Sequence, residues 1–346
     1  MSNIILSSAE NSSLLQTLNQ SDSKVIPSIY STKEIYAPSA TSWFSDLTPQ
    51  SENINPGGQM TFNIPKYGFL EQILLGFTYT YTATTPTGTG TLNLPSGVAY
   101  SMIDRIEFLS SSRVISTLYS QDLIAQHSNL STDQIYPISK TWAKANSDNA
   151  SPVGTTGTSS ISASYLLPVV FGFNMDINTV QNTSFNEPQS IRVVWSGKLA
   201  NLGVVTTGTV VSKPADGSGV ISVPRISYRY KLYNEADTAM ILAENYSEPQ
   251  LNMLTTRSYR ENPLEATSNG DSKFKFTVNI KNVDVVNAFY IMVRPTTVDG
   301  TNPDTATKNA NALQEIDKVT MMASGQEIAV ITPNANYYSH LTENGY

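Results

Sequence analysis

Two histidines and no cysteine are the chain's whole stock of side chains that ordinarily attack or titrate near neutral pH. The lack of cysteine excludes thiolate nucleophiles, disulfides and thiolate metal sites, and leaves the redox compartment open. His127 and His340 stand 213 positions apart (340 − 127), too sparse a set for a Ser-His-Asp constellation or a histidine-rich metal site. Each is read instead as a packing residue, beside Leu123 and Ile124 or beside Tyr338 and Leu341. No HExxH, Walker A or GxSxG string occurs, and Gly88-Thr89-Gly90 reads as a turn rather than a phosphate cradle. Asp299-Gly300-Thr301-Asn302-Pro303-Asp304 collects oxygen ligands in one loop, and Asp216-Gly217 caps another turn. Neither is an EF-hand, and Asp-Gly and Asn-Pro are ordinary turn residues, so calcium is weighed at 299–304 and no metal is assigned. A paired-carboxylate glycosidase would need acids converging from distant strands, and nothing specific favours it. Sequons at Asn11, Asn129, Asn149, Asn182 and Asn245 are expected by chance in a chain this rich in Asn, Ser and Thr. The expectation is therefore no catalytic, cofactor-binding or metal residue, no cofactor, and no enzymatic activity.

Composition points the same way. Net charge is −7, which argues against a basic surface that coats nucleic acid. Charged residues make up only 14%, against roughly a quarter in ordinary soluble domains. A polar, weakly charged surface tolerates close subunit packing because fewer ions must be desolvated. The same composition also suits a secreted β-rich protein with Ser/Thr-rich loops. Ile4-Ile5-Leu6 is too short for a signal-peptide core, and no run approaches the ~18 apolar residues of a bilayer span.

The elements that must position these residues are mostly strands. Residues 1–56 read as an arm, with Leu14, Leu15 and Leu18 at helical spacing. Such a helix is marginal alone, so the arm either orders against a neighbour or a membrane-facing layer, or is a frayed terminus. From Gln59 the period becomes two: Met60, Phe62 and Ile64 alternate with Thr61 and Asn63. Phe69–Tyr81 follows, with Phe77, Tyr79 and Tyr81 alternating with threonines. Residues 84–91 read as a loop. Ile103–Leu109 and Arg113–Tyr119 form a hairpin, followed by a short helix over Gln121–Leu130. Tyr165–Phe173 is almost continuously apolar, and its Pro168 demands a bulge or an edge. Gln189–Trp195 and Ile226–Tyr233 alternate again. Asn146–Ser160 and Gly203–Ser222 read as flexible insertions. A strand opening at Lys273, another at Ala288–Arg294, the hairpin Ile316–Ile331 and a helix at Asn334–Leu341 complete the chain.

One module occurs twice. Ile103-Asp104-Arg105-Ile106-Glu107-Phe108 is answered by Ile316-Asp317-Lys318-Val319-Thr320-Met321. Each copy runs through a small turn, Ser110-Ser111-Ser112 or Ala323-Ser324-Gly325, into a second apolar strand and then to its histidine. Phe62-Asn63-Ile64 pairs with Val278-Asn279-Ile280 at an offset of 216 (278 − 62). A duplicated β-module without evident catalytic residues implies architecture rather than turnover. The fold expected is all-β: two jelly-roll β-sandwiches in tandem with short helices after the repeated hairpin.

The order of Met60–Ile64, the Ile103-Asp104-Arg105-Ile106-Glu107 hairpin and helix, Leu166-Leu167-Pro168-Val169-Val170-Phe171-Gly172-Phe173, Gln189–Trp195 and Ile226–Tyr233 is familiar. It resembles the double jelly-roll major capsid proteins of tailless icosahedral viruses, the lineage of adenovirus hexon and the capsomers of large DNA viruses. The resemblance covers roughly residues 57–346 as a pattern of strands and loops. It implies two upright jelly rolls per chain, homotrimers of pseudo-sixfold outline, and neighbouring capsomers and minor capsid proteins as partners. An internal membrane layer is a further partner through the arm, and no direct sequence-specific nucleic-acid binding is implied. The expected location is the virion shell, assembled inside the host cell. Expected divisions are the arm at 1–56, a first jelly roll at 57–235, and a connector with a shortened second jelly roll at 236–346. The shortening arises because the second copy lacks an in-chain counterpart of Ser162–Tyr233. Residues 234–270, the arm, a neighbouring chain or a longer polypeptide could supply it. The alternative is a two-domain carbohydrate-binding or adhesive β-sandwich protein, a spike or lectin, binding glycans through exposed tyrosines.

Overall fold

A computed structural model describes residues 40–50, 52–66, 68–85, 90–94, 98–128, 151–152, 157–171, 187–207, 210–212, 214, 216–233, 235, 275–280, 291, 293, 316–323 and 325–332. The chain divides into two compact units, 1–42 with 231–252 and 43–230 with 253–346. In chain order the strands begin with Ala40–Leu47 (β1), Gln59–Ile64 (β2), Phe69–Thr85 (β3), Gly90–Asn93 (β4), Ile103–Ser110 (β5) and Arg113–Tyr119 (β6). Next come Ser151–Pro152 (β7), Gly157–Pro168 (β8), Gln189–Trp195 (β9), Val204–Thr207 (β10), Val210–Ser212 (β11) and Ser218–Tyr233 (β12). Val319–Ala323 (β13) and Gln326–Ile331 (β14) close the series; among the described residues Val98–Ser101 (α1) and Ser120–Ser128 (α2) are α-helical and Leu199–Asn201 forms a 3-10 turn.

Two four-stranded sheets carry the core, one ordered β1-β12-β3-β8 and the other β2-β9-β5-β6. Successive strands alternate between them: β2 in the second, β3 in the first, β5 and β6 in the second, β8 in the first, β9 in the second, β12 in the first. That alternation is jelly-roll topology, and the fold is an all-β sandwich. Period-two patterning explains which face closes. Met60, Phe62, Ile106, Phe108, Ile191, Val193 and Trp195 are buried from one sheet, and Phe77, Tyr79, Tyr81, Ile161, Tyr165, Leu167 and Tyr228 from the other. They form one cluster, and the Phe77 and Trp195 rings meet edge to face across the layers with centroids 5.3 Å apart. Each large side chain so buried contributes roughly 1.5–3 kcal/mol.

Several expectations need revision. β8 begins at Gly157, inside the predicted 146–160 insertion, and runs the length of β3 from Thr85↔Gly157 to Leu74↔Pro168. Its first half alternates Ser160, Ser162 and Ser164 with Ile161 and Ala163, a pattern of low hydropathy contrast. Pro168 is the last residue of this strand, which lies at the sheet edge, where proline costs no ladder bond. The 84–91 and 203–222 loops are also partly strand. β4, β7, β10 and β11 make a third sheet, ordered β11-β10-β4-β7, from segments joined to the ends of β3, β8 and β12. β12 starts at Ser218 rather than Ile226, and its predicted beginning was hidden by Val223 (φ 48) and the following Pro224.

The second copy of the hairpin is formed. β13 and β14 pair Val319↔Ile331, Thr320↔Val330, Met321↔Ala329, Met322↔Glu327 and Ala323↔Gln326. Adding 213 to the pairs of β5 and β6, from Ile106↔Leu118 to Ser110↔Arg113, reproduces every one. The bulge recurs as well, between Phe108 and Leu109 and between Met321 and Met322. By contrast, residues 275–280, predicted to open a strand at Lys273, are not assigned to one. Their counterpart β2 takes its ladder bonds from β9, and no counterpart of β9 occurs among the described residues.

Candidate functional site

Three features stand out on the first sandwich. The first anchors the third sheet. Tyr79 and Tyr81 are buried, and the Tyr79 hydroxyl donates to the Leu199 carbonyl at 2.5 Å. Gly203 and Gly217 pass so near the Tyr81 ring that an added Cβ would lie about 2 Å from it, at 2.0 Å from Cε1 and 1.9 Å from the hydroxyl respectively. Backbone approach this close admits only glycine. Asp216 adds a clamp, both carboxylate oxygens accepting from the Thr84 N–H at 3.2 and 3.0 Å. Bonds from the Thr84 side chain and backbone hold the Asp216 carboxyl below its ordinary value. The carboxylate thus ties the turn at 216–217 to β3, 132 residues earlier in the chain, a long-range contact that differs from the local turn cap expected. Burial, then the Asp216 charge, pushes the Tyr81 phenol up to about 12, and burial raises Tyr79, Tyr100 and Tyr165. Phenols shifted this way stay protonated at neutral pH and serve poorly as bases.

The second feature is an ion network on the outer face of the β2-β9-β5-β6 sheet. Arg105 Nε donates to Glu107 Oε1 at 2.7 Å, and Arg192 Nε donates to Glu107 Oε2 at 2.5 Å, with a second contact from Arg192 Nη2. Arg105 Nη1 also reaches Asp104 at 2.7 Å. The pairing Glu107↔Arg192 places these groups directly opposite on neighbouring strands. Burial pushes the Glu107 carboxyl up, but the bonds from Arg105 and Arg192 outweigh it and the net shift is downward. A carboxylate held ionised between two guanidiniums joins β5 to β9 and has no proton to exchange near neutrality.

The third feature covers the outer face of β3 and β8. Thr78, Thr80 and Thr82 hydrogen-bond Ser164, Ser162 and Ser160 through their hydroxyls at 2.9, 3.1 and 3.3 Å. This ladder is polar and uncharged, the surface type whose covering requires no ion to be desolvated.

Other predicted positions distribute as follows. α2 forms where predicted, with Asp122 accepting from the Tyr119 N–H at 2.8 Å and Leu123 buried. The His127 side chain, His340, the 299–304 loop and Asn11, Asn129, Asn149, Asn182 and Asn245 lie outside the described residues or side chains, as do the 1–39 part of the arm and the 334–341 helix. No group of three or more His, Cys, Asp or Glu placed to hold a metal occurs among the described residues. The Glu107 network and the glycine–tyrosine contacts were not predicted. Gly217 and Gly219, which approach the Tyr81 and Tyr79 hydroxyls respectively, share the two-residue spacing of those tyrosines, the one sign of the contact in the sequence.

No family model and no curated protein matches the chain. Among solved structures it is similar to the PBCV-1 virus capsid, at 12% identity and TM-score 0.41, covering 61% of this chain and 46% of that one. It is also similar to the Faustovirus major capsid protein, at 9% and 0.40, covering 67% and 63%. A third is the structure of the Sputnik virophage, at 10% and 0.44, covering 62% and 52%. The chain thus spans between about half and under two thirds of the length of these structures.

Proposed function

We propose that this chain is a structural, non-enzymatic subunit of a viral shell, a major capsid protein that forms homotrimers and tiles an icosahedral capsid. The observation that carries the reading is the hairpin repeated at 213 residues with the same register and the same bulge. Three chains, each holding two like modules, offer six like edges around a threefold axis, which is how a trimer fills a sixfold place in a shell. On this reading residues 57–235 are one jelly roll, and 236–346 hold a connector and part of a second. The hydroxyl ladder suits contact between subunits, since it can be covered without burying charge. The third sheet and its adjoining loops would decorate one end of each subunit. Residues 1–56 would tie the capsomer to minor capsid proteins or to a membrane layer beneath. Neighbouring capsomers are the remaining partners, direct sequence-specific nucleic-acid binding is not part of the role, and assembly takes place in the host cell.

The glycan-binding alternative needs exposed tyrosines, and Tyr79, Tyr81, Tyr100, Tyr165 and Tyr228 are core residues that a sugar does not reach. Native mass measurement tests the proposal. Three chains of 37.7 kDa give a particle of about 113 kDa (3 × 37.7), with a permanent interface of more than ~2,000 Å². Deleting residues 1–20 should leave that trimer intact while weakening shell assembly. A monomer that binds glycans on an array would overturn the capsid reading.

A further inference from the structure

Strand β12 holds one residue in a conformation that its side chain resists. Val223 has φ 48°, in the left-handed region, where a β-branched residue is an outlier. Pro224 follows it, and a residue before proline is pushed toward extended backbone. The strand slips by one residue at this point. Ile221 and Ile226 are both fully buried although five positions apart, an odd interval that strict alternation would send to opposite faces. Val223 gains little from burial in return, since it is 69% exposed. Glycine would make the same bend without the clash between Cβ and backbone. The chain therefore carries strain at Val223 that the packing of this side chain does not offset.

Residues 216–222, just before the bend, lie across Tyr79 and Tyr81 and are lightly held. Gly217 and Gly219 meet the Tyr81 and Tyr79 hydroxyls and bring no side chain to the contact. Asp216, which clamps the Thr84 N–H, is exposed, as are Ser218 and Val220. Ile221 is the segment's one fully buried side chain. The two tyrosines beneath it differ. The Tyr79 hydroxyl donates to the Leu199 carbonyl, whereas the Tyr81 hydroxyl, equally buried, has no hydrogen-bond partner among the described residues. A buried hydroxyl in that state is costly, and water would satisfy it once the segment rose.

We propose that residues 216–222 form a strap poised to lift from Tyr79 and Tyr81, hinged at Val223. Lifting lets Val223 relax to extended backbone and gives the Tyr81 hydroxyl a partner in water. Against it stand the Asp216 clamp and the seat of Ile221 in the core. The balance makes this segment a local opening unit, distinct from global unfolding. Its open state bares the hydroxyl ends of the Tyr79–Tyr81 stack, whose ring centroids lie 6.3 Å apart. The inference uses contacts within the first sandwich and does not rest on the capsid reading.

Native-state hydrogen exchange of the full chain tests it, comparing the amides of 217–222 with those of β9. In the parent protein the strap amides should exchange at least tenfold faster than β9. Val223→Gly should slow strap exchange about fivefold or more by removing the strain. Val223→Asn should slow it too, because asparagine tolerates the left-handed region without glycine's added chain freedom. Tyr81→Phe, which deletes the unpartnered hydroxyl, should also slow it, and Asp216→Ala, which removes the clamp, should speed it. Strap amides that exchange no faster than β9 in the parent overturn the proposal. Strap exchange left unchanged or faster in both Val223 variants overturns it as well, because the hinge or the strain would then lie elsewhere. Faster strap exchange in Tyr81→Phe overturns the role given to the hydroxyl.

Discussion

Replacing Glu107 with glutamine tests whether the ion network binds the two central strands of its sheet. The substitution keeps the shape and one acceptor oxygen but removes the charge between Arg105 and Arg192. Hydrogen bonds to charged groups are worth about 1.5–3 kcal/mol each, so two of them set a ceiling near 6 kcal/mol. The realised loss is much smaller, because the arginine side chains are 35% and 27% exposed and solvent screens them, and because glutamine still accepts one bond. A net destabilisation of about 2 kcal/mol is expected, which for a sandwich of this size lowers Tm by roughly 4–8 °C. Urea unfolding followed by tryptophan fluorescence at pH 7 measures it. The pH dependence supplies an independent sign. The folded-state Glu107 carboxyl lies below its ordinary value, so its contribution is fully present above the unfolded-state pKa of about 4.3. It is lost as pH falls through the lower folded-state value. The gap between parent and variant should therefore hold from pH 7 down to about 5 and then close on further acidification. Equal stabilities at pH 7, or a gap that widens in acid, would refute the network's role.

Gly203→Ala places a methyl group 2.0 Å from a buried Tyr81 ring carbon, and a core ring cannot swing away as a surface side chain would. A loss of about 1–3 kcal/mol is expected, read as a lower urea midpoint with an unchanged slope; a neutral effect would mean that β10 is not seated on Tyr81. Tyr79→Phe removes the donor to the Leu199 carbonyl inside the core. It should cost about 1–3 kcal/mol and speed amide exchange at 199–207 before that of β3, an order that global loosening would not give.

What could be read from residue types alone was wherever apolar and polar side chains alternate with high contrast. Met60–Ile64, Ile103–Tyr119 and Gln189–Trp195 satisfy that condition, and all three are strands within about a residue of their predicted bounds. The first half of β8 fails it, because serine and alanine differ little in hydropathy, and only pairing with β3 makes it a strand. β4, β10 and β11 fail it for a different reason. They are short, and among the described residues the apolar side chains that β4 and β10 bury are only Leu92, Val204 and Val205, too few for a period to show. Glu107 and Arg192 are 85 residues apart, so their meeting depends on register, which a single sequence leaves open.

The repeated bulge carries more weight than the repeated residues. Matching side chains can arise from shared strand propensity, because many β-strands are rich in Ile, Val and Phe. A bulge adds one residue to one strand at one position, re-aims every side chain beyond it, and has no reason to fall at the same place in unrelated hairpins. Between Ile103 and Tyr119 it keeps Ile106, Phe108 and Leu118 in the core while Glu107 points to the opposite face. Between Val319 and Ile331 the same displacement is built into a hairpin whose apolar side chains are largely exposed. A two-stranded hairpin is marginal in water, so geometry this specific is retained only where further strands complete the sheet. The second hairpin is thus built to the geometry of the first, bulge included, and that shared geometry, more than shared side chains, ties the two copies together.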